Sequence, residues 1–302
     1  MQKEFYYDKN PECKIWDEIW ETRTVEQELE ACEIETPPRE LFLKYLSKKD
    51  KIVDAGCGFG KWVNYLHRRG YNIVGIDNNE FAISKLKEFD GTLQVKMGDI
   101  LNIDYPDNRF GAYISMGVIE HFEEGPQAPL KEAYRVLCPG GLIFVSVPTV
   151  NMIRKFIRPS ARFVVIILKA LKTTINRGNS SKWSAFKDTI SKILPANLQK
   201  KSAEKNNRYY HFLEYRYTVK ELKDILNKNG FEMLKTIPHD FYGSKEHAIG
   251  LWMDLPFLRQ SHKGVDFKMN LAGKVVSRIL DNISPWIACA SVICVARSTK
   301  KV

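Results

Sequence analysis

The feature that most constrains this chain is a glycine-rich turn placed directly after a short apolar strand pattern. The short buried-strand pattern at 51–55 overlaps the motif Val53-Asp-Ala-Gly-Cys-Gly-Phe-Gly60, and a helix-like pattern begins at Lys61. Glycines at 56, 58 and 60 let a backbone turn approach a ligand with no Cβ in the way, and a helix N-terminus offers unpaired N–H groups to a carboxylate or phosphate. The sequence therefore predicts a ligand-binding turn between a buried strand and a helix.

The spacing of these glycines indicates which kind of ligand the turn binds. A dinucleotide-binding fingerprint would place its third glycine at position 61, where this chain has Lys61. The pattern is G-x-G-x-G instead, which favours a ligand made of a nucleoside and an amino acid over a pyrophosphate. A nicotinamide-dependent dehydrogenase is therefore disfavoured.

Strand and helix patterns alternate along much of the chain. Helical patterns end at Gly70 and at Gly230, and the second of these begins with a capping box at Thr218. Strands separated by helices of this length predict a parallel α/β sheet with right-handed crossovers. The seven predicted strands are 51–55, 72–76, 93–96, 111–115, 142–147, 231–237 and 287–296.

Three acidic residues stand at the ends of consecutive predicted strands. Asp77 can accept hydrogen bonds from the two vicinal hydroxyls of a ribose. Asp99 can accept from an exocyclic adenine amine, with Ile100 packing on the ring. A single aspartate in such a place is a solvated turn residue about half the time. Three of them at near-equal spacing, counting Asp54, are harder to explain as turn residues.

On these motifs the chain resembles a class I S-adenosylmethionine-dependent methyltransferase, of the small-molecule branch that includes quinone-biosynthesis methyltransferases. The resemblance covers about residues 45–150, with weaker agreement at 214–218 and in the final strand. It implies an α/β fold, namely a Rossmann-like seven-stranded sheet with helices on both faces and its last strand antiparallel. The matching motifs are Val53 to Gly60, Asp77, Gly98-Asp99, Val118-Ile-Glu-His-Phe122 and Arg135-Val-Leu-Cys-Pro-Gly-Gly141.

The resemblance also implies which residues bind the cofactor, S-adenosyl-L-methionine. Gly56 and Gly58 would line its methionine end, Asp77 would hold the ribose, and Asp99 with Ile100 would bind the adenine. The full set expected at the cofactor is Asp54, Gly56, Cys57, Gly58, Gly60, Asp77, Asn78, Asp99, Ile100 and Met116.

The pair Glu120-His121 follows the fourth predicted strand, where the resemblance places the acceptor. Either Glu120 caps or pairs and His121 is a loop residue, or His121 is the catalytic residue that takes the proton from an acceptor hydroxyl. The unperturbed pKa of histidine, about 6.5, suits a base near neutral pH. No metal is expected, because Gly117 stands where some quinone-pathway relatives carry a further glutamate.

The 302 residues are expected to form four parts. Residues 1–45 form an N-terminal helical cap with an amphipathic stripe that includes Trp16 and Trp20. Residues 46–150 form the cofactor-binding α/β core, 151–207 a basic amphipathic helical insertion after strand 5, and 208–302 the C-terminal part of the core. The cap, the insertion and the aromatic segment 209–217 would cover the strand ends and determine which acceptor binds.

The basic insertion accounts for the net positive charge of the chain. It holds thirteen Lys or Arg against two acidic residues, a net charge of +11 in a chain of net charge +10. It is either a cap over the sheet or an element that contacts an anionic membrane surface. Nucleic acid is the less favoured partner, because no N/D-P-P-Y/F tetrapeptide follows the fourth strand.

The N-terminal sequence and the cysteines indicate where in the cell the protein is expected. The N-terminus shows no apolar stretch of a secretory signal, and six scattered cysteines without a C-x-x-C pair indicate reduced thiols. A cytoplasmic protein is expected, peripheral at the inner membrane surface if the insertion binds lipid.

The expected activity is methyl transfer from S-adenosyl-L-methionine to a small or lipid-linked acceptor, at oxygen. Two alternatives stay open, namely an RNA-modifying methyltransferase and an S-adenosylmethionine-binding protein without catalysis. The sequence gives neither the identity of the acceptor nor the oligomeric state.

Overall fold

The computed structural model describes most of the chain. The described residues are 1–8, 16, 20–21, 23–156, 209–240, 258–263 and 266–301. Of the insertion expected at 151–207, residues 151–156 fall within this range, and 152–156 are helical. The rest of the insertion lies outside the described residues.

A seven-stranded sheet forms the centre of the described part. Its strands are β2 (Lys51–Ala55), β3 (Asn72–Asp77), β4 (Val95–Met97), β5 (Phe110–Met116), β6 (Leu137–Pro148), β8 (Phe231–His239) and β11 (Ser291–Ser298). Their order is β4-β3-β2-β5-β6-β11-β8. The neighbours from β4 to β6 pair in parallel, and β11 runs antiparallel to both β6 and β8. The predicted sheet, with its last strand antiparallel, is confirmed.

Helices cover both faces of this sheet. They are α1 (Val25–Ile34), α2 (Thr36–Tyr45), α3 (Lys61–His67), α4 (Glu80–Phe89), α5 (Gln127–Val136), α6 (Val219–Lys228) and α7 (Leu271–Ile283), with a 3₁₀ turn at Ile119–His121. A capping box at Thr218 opens α6 as the sequence predicts, and another at Thr24 opens α1. The chain leaves α3 through Gly70, whose φ of +77° favours glycine.

Two apolar layers hold the helices to the sheet. Ile52 belongs to the layer that contains Phe42 of α2, and Val53 to the layer that contains Leu130 of α5. Successive residues of a strand point to opposite faces, so both faces of β2 are buried. A strand with two buried faces is rich in apolar residues on both sides, and Ile52, Val53 and Ala55 make 51–55 recognisable from the sequence although Lys51 and Asp54 are charged.

The N-terminal part contains a strand as well as helices. Strand β1 (Gln2–Asp8) pairs antiparallel with β7 (Tyr209–Arg216) in a separate two-stranded sheet. The sequence predicts only a helical cap over 1–45 and an aromatic covering segment over 209–217. Neither strand alternates apolar and polar residues cleanly, and their pairing joins segments about two hundred residues apart, so no local pattern reveals it.

The C-terminal part adds a further hairpin and helix α7. Strands β9 (Arg259–Lys263) and β10 (Asp266–Met269) pair antiparallel, and α7 follows directly. None of these three elements is predicted from the sequence. Within the described ranges, no helix is both long enough and apolar enough to span a membrane.

An ion pair fixes the junction between α1 and α2 to the start of α3. Glu35, only 2% exposed, accepts a hydrogen bond of 2.7 Å from the Nζ of Lys61. Nε2 of His239 lies 3.9 Å from the other Glu35 oxygen, but burial lowers the pKa of His239 to about 4, so this contact is not an ion pair at neutral pH. Lys61, the residue in place of a third fingerprint glycine, therefore anchors the N-terminal helices beside the glycine turn.

Replacing Glu35 by glutamine tests this anchor. Glu35→Gln leaves the Lys61 ammonium without its carboxylate in a largely buried place, and we expect the free energy of unfolding to fall by about 3 kcal/mol. Urea unfolding followed by circular dichroism measures this. The control is Glu33→Gln two residues away, whose carboxylate pairs with Arg39 but is 62% exposed, and it should cost less than about 1 kcal/mol. Equal losses from the two substitutions would contradict the assignment.

Candidate active site

The glycine turn lies between the end of β2 and the start of α3 and is held to the end of β3. The N–H groups of Gly56 and Cys57 both donate to the carbonyl of Ile76, at 2.8 and 3.1 Å. The φ angles of Gly56, Gly58 and Gly60 are +83°, +52° and +64°. Residues with a Cβ rarely adopt this region, so the turn requires glycine for its backbone shape.

These glycines also let neighbouring side chains approach the turn. A Cβ on Gly58 would lie 2.5 Å from Cζ2 of Trp20, and one on Gly60 would lie 2.3 Å from Cδ2 of Leu86. Trp20 packs on the turn and stacks at a tilt on Phe59, with ring centroids 4.8 Å apart. The N-terminal segment therefore touches the turn at Trp20.

Asp77 ends β3 and reaches into the turn. Its Oδ2 accepts from the N–H of Gly58 at 2.7 Å, and its Oδ1 accepts from the N–H of Asn79 at 2.9 Å. Burial raises the pKa of Asp77, and these two donors oppose the rise. The N–H of Asn78 is a third backbone donor that opposes the rise. A carboxylate has about four lone-pair sites, so Asp77 can still accept a further hydrogen bond from a ligand.

Asp54 occupies a different environment, one strand away. Its residue is 2% exposed within β2, and it does not line the cleft described below. Burial raises the pKa of Asp54 to about 7, the charge of Asp77 adds to the rise, and Lys61 opposes it. Asp54 is therefore a buried carboxyl group that exchanges its proton near neutral pH.

Asp99 lies on the surface, just after β4. Its Oδ1 accepts from the N–H of Leu101 at 2.8 Å, the usual bond of an aspartate in a turn. Ile100 is 6% exposed and belongs to the apolar layer of Val53. The turn role and the predicted adenine role are compatible, because Asp99 also lines the cleft.

A cleft of about 350 Å³ opens at the carboxyl ends of β3, β4 and β5. Of the expected site residues, the fold brings Gly56, Asp77, Asn78, Asp99, Ile100 and His121 to its wall. The others, Asp54, Cys57, Gly58, Gly60 and Met116, do not line it. The wall also contains Trp16, Trp20, Asn79, Gly98, Leu101, Gly117, Val118 and Phe122.

Part of this wall could have been found in the sequence. Val118 and Phe122 belong to the motif around Glu120-His121, but the motif alone predicts only His121 as a site residue. Gly117 has a φ of +80° and follows β5 directly, so the chain turns there in the way that the glycine after β2 does. The signal that links these residues is their place after a strand of the parallel sheet, because ligands of such sheets bind beyond the carboxyl ends of the strands.

The donors and acceptors of this cleft fit S-adenosyl-L-methionine. Carboxylates at 77 and 99, both on the cleft wall, suit the hydroxyls of a ribose and the amine of an adenine. The apolar surfaces of Ile100 and Val118 suit a flat base and a methyl-bearing sulfur. Among the described residues, no cluster of three or more His, Cys, Asp or Glu could hold a metal ion.

His121 lies on the cleft wall in the 3₁₀ turn after β5. Its Nδ1 lies 2.7 Å from the carbonyl oxygen of Leu213 in β7. A carbonyl can only accept, so Nδ1 carries a proton and Nε2 of the neutral ring keeps a lone pair. Burial lowers the pKa of His121, whereas the charge of Glu214 and backbone hydrogen bonds with Leu213 and Gly117 oppose the fall. The ring also packs edge-on against Trp16, with centroids 4.5 Å apart.

Glu120 lies beside His121 but does not form an ion pair with it. Its Oε1 is 3.8 Å from Nε2 of His121, and the residue is 1% exposed. Burial raises the pKa of Glu120 well above its usual range, Glu214 adds to the rise and Arg216 opposes it. Burial therefore disfavours the charged form of both groups.

A larger cleft, of about 530 Å³, lies at the opposite edge of the sheet. Lys51, Gly111 and Gly141 line it near the amino ends of β2, β5 and β6. None of the expected site residues lies there. The carboxyl-end cleft is therefore the candidate active site.

Comparisons with known proteins agree with this geometry. Residues 53–145 match the family model described as Methyltransferase domain. The sterol 24-C-methyltransferase of Yarrowia lipolytica is 34% identical over 104 residues, which cover 32% of this chain and 26% of that protein. The 2-methyl-6-phytyl-1,4-hydroquinone methyltransferase 2 of Oryza sativa subsp. japonica is 33% identical over 100 residues, which cover 32% of this chain and 28% of that protein.

One solved structure shares the fold over nearly the whole chain. It is the 1,6-didemethyltoxoflavin-N1-methyltransferase of Burkholderia thailandensis, crystallised with 1,6-didemethyltoxoflavin and S-adenosylhomocysteine. The TM-score is 0.51 at 14% identity, over 99% of this chain and 96% of that one. Similarity at this level concerns the fold. The two curated relatives match over only about a quarter of their own length.

The buried carboxyl group of Asp54 predicts how stability depends on pH. Its pKa is about 7 in the folded chain and near 3.8 when unfolded, so the folded chain keeps a proton that the unfolded chain has released. The contribution of Asp54 to stability therefore falls as the pH rises from about 4 to 7, by at most about 4 kcal/mol. Asp54→Asn should remove this fall, so that the variant gains stability relative to the parent at pH 8 compared with pH 5.

Urea unfolding of the ligand-free chain at several pH values measures this dependence. Asp104→Asn, whose side chain is fully exposed, serves as the control and should follow the parent. Parallel pH profiles for Asp54→Asn and the parent would remove Asp54 from its assigned role.

Proposed function

Because the chain carries a class I S-adenosylmethionine-dependent methyltransferase domain, we propose that it transfers a methyl group to the oxygen of a small or lipid-linked acceptor. The cofactor of this family is S-adenosyl-L-methionine, as the sequence predicts. The observation that carries the proposal is the state of His121, whose protonated Nδ1 leaves Nε2 as a proton acceptor on the cleft wall.

The acidic strand ends would hold the cofactor. Asp77 can accept a further hydrogen bond from the ribose, and Asp99 and Ile100, which line the same cleft, would bind the adenine. The glycine turn lies between Asp54 and Asp77, so the amino-acid end of the cofactor would lie along it. When bound, S-adenosyl-L-methionine supplies a methyl group on a positively charged sulfur, which is already an activated electrophile.

His121 would prepare the acceptor. A hydroxyl group becomes a much better nucleophile as it loses its proton, and a positioned base contributes about 10²–10⁴-fold to such a step. Burial keeps the His121 ring neutral at pH 7, so Nε2 is ready to accept a proton. Held by Leu213 on one side and Trp16 on another, the ring needs little reorganisation before the transfer.

Apolar side chains would exclude water from the reacting groups. Trp16 packs against His121, Trp20 packs against Phe59 of the glycine turn, and Phe122 follows His121 on the cleft wall. A site without water favours transfer from a sulfonium, because the positive charge disperses as the methyl group moves. The same surfaces suit an apolar or aromatic acceptor.

The names of the relatives support a small or lipid acceptor and also favour a second candidate. One relative is a sterol 24-C-methyltransferase and the other a phytyl-hydroquinone methyltransferase. The first of these names specifies carbon, so transfer to a carbon atom is the second candidate. A base at His121 would serve there too, by removing a proton from the methylated product.

An acceptor screen tests the proposal. The full chain is incubated with S-adenosyl-L-methionine labelled in its methyl group and with hydroquinones, catechols, their prenylated forms, sterols and total RNA. Label in a phenolic or lipid product supports the proposal, and the chemical shift of the new methyl group separates oxygen from carbon. Label confined to RNA, or tight cofactor binding with no transfer to any acceptor or cell extract, would count against it.

Removing the Asp77 carboxylate should weaken cofactor binding. If it holds the ribose by charge-assisted hydrogen bonds, Asp77→Ala should lose about 1.5–3 kcal/mol of binding free energy for S-adenosyl-L-methionine. Titration calorimetry measures this, with the thermal transition of the free protein as a check on folding. The exposed Glu80→Ala, three residues along, is the control and should bind as the parent does. Unchanged affinity in a folded Asp77→Ala variant would exclude Asp77 from the site.

Replacing His121 by asparagine separates catalysis from structure. The shorter amide side chain could still donate to the Leu213 carbonyl but has no atom in place of Nε2, so His121→Asn should lower kcat by about 10²–10⁴-fold and leave cofactor affinity unchanged. In the parent, kcat should rise with pH through a pKa below 6.5 and then level off, because the base acts when neutral. The His121→Asn variant should not show this rise of kcat with pH.

His67→Asn is the matched control, since His67 ends α3 away from the cleft. A parent-like rate and pH profile in His121→Asn would return His121 to the role of a loop residue.

A further inference from the structure

Helix α7 carries a row of exposed aliphatic side chains. Leu271, Val275, Ile279 and Ile283 are 79%, 51%, 54% and 70% exposed. They recur every fourth residue and so form one stripe along the helix, about 18 Å long at 1.5 Å per residue. Single exposed apolar residues are ordinary, but a continuous row marks a surface that binds something.

The opposite face of α7 is already used for packing. Val276 and Leu280 pack on a small apolar cluster with Leu258 and Met269. Gly273 brings the helix close to the chain, because a Cβ there would lie 2.3 Å from the carbonyl oxygen of Leu258. The helix is thus fixed through its inner face, and the exposed stripe is not the result of a helix that failed to dock.

Basic groups border the stripe. Lys274 and Arg278, four residues apart, follow one edge of it, and Asp281 is the one acidic residue of the helix. Ile153, in the same apolar cluster as Val276, lies at the start of the 151–207 segment with its net charge of +11. On the helix itself, the border of the stripe therefore carries two basic groups, Lys274 and Arg278, against one acidic group.

Helix α7 lies toward the same edge of the sheet as the cleft. The helix leads into β11, whose first residue Ser291 pairs with Pro148, the last residue of β6. Because β6 is parallel to β5, α7 lies toward the carboxyl edge of the sheet, where the cleft opens. A surface that the stripe touched would face the same edge as the candidate active site.

We propose that α7 lies on an anionic lipid surface, with its stripe in the boundary between headgroups and acyl chains and its basic border at the headgroups. An interfacial helix needs an apolar face bordered by Lys or Arg, which enters the bilayer by about 5–10 Å. A stable contact with a second copy would engage about 20–30 residues on each side, and the stripe offers four aliphatic side chains. The basic border suits acidic lipid headgroups.

Vesicle partitioning of the full chain tests this, with no need for an acceptor or for catalysis. The vesicles are phosphatidylcholine alone or mixed with phosphatidylglycerol, and the partition coefficient is measured by sedimentation. Binding should require the anionic lipid and weaken as salt is added. Ile279→Gln should lower the partition coefficient about tenfold, and Val275→Gln with Ile279→Gln by more.

A matched control exists on another helix. Leu43 of α2 is 52% exposed, against 54% for Ile279, so Leu43→Gln makes the same chemical change at equal exposure away from the stripe. It should partition as the parent does. Circular dichroism establishes that each variant folds, which surface substitutions of this kind should allow.

Three results would overturn the proposal. The first is a parent chain that does not bind anionic vesicles, and the second is an Ile279→Gln variant that binds as well as the parent. The third is a parent that is dimeric by light scattering and becomes monomeric on Ile279→Gln, which would make a second copy the occupant of the stripe.

Discussion

The attachment of the glycine turn to the end of β3 is the interaction on which the site depends. The carbonyl of Ile76 accepts two N–H groups of the turn, and the Asp77 carboxylate accepts a third, from Gly58. These bonds place the turn and the acidic strand end at one fixed separation. The same carboxylate that shapes the turn thus faces the cleft, so its position is set before any ligand arrives and little ordering remains for binding to accomplish.

Burial shifts the pKa values of the ionisable groups on both sides of the site. Asp54 is kept partly protonated near pH 7, because the opposing charge of Lys61 does not outweigh the loss of water. Burial also raises the pKa of Glu120 and lowers the pKa of His121, which disfavours the charged form of each. A cationic ligand at the turn would therefore lie near a buried carboxyl group that can ionise, whereas an acceptor hydroxyl would meet a neutral imidazole after β5.

Local patterns explain what could be predicted from the sequence. The buried strands, the capping box at Thr218, the glycine turn and Asp77 each depend on a few neighbouring residues, and the parallel sheet then brings the strand ends together. Contacts between distant segments could not be predicted in this way. The pairing of β1 with β7, the Glu35–Lys61 ion pair and the Leu213 carbonyl on His121 are set by tertiary packing, which no periodicity encodes.

This division also separates the cofactor side of the site from the acceptor side. The family match ends at residue 145, and it contains the glycine turn, Asp77, Asp99 and His121. Trp16, Trp20 and Leu213, which cover the turn or orient the His121 ring, all lie outside it. The tautomer of the proposed base thus depends on β7, a strand beyond the family match. Two proteins that share such a domain can therefore bind different acceptors, because part of the surface that would meet the acceptor comes from segments outside the domain.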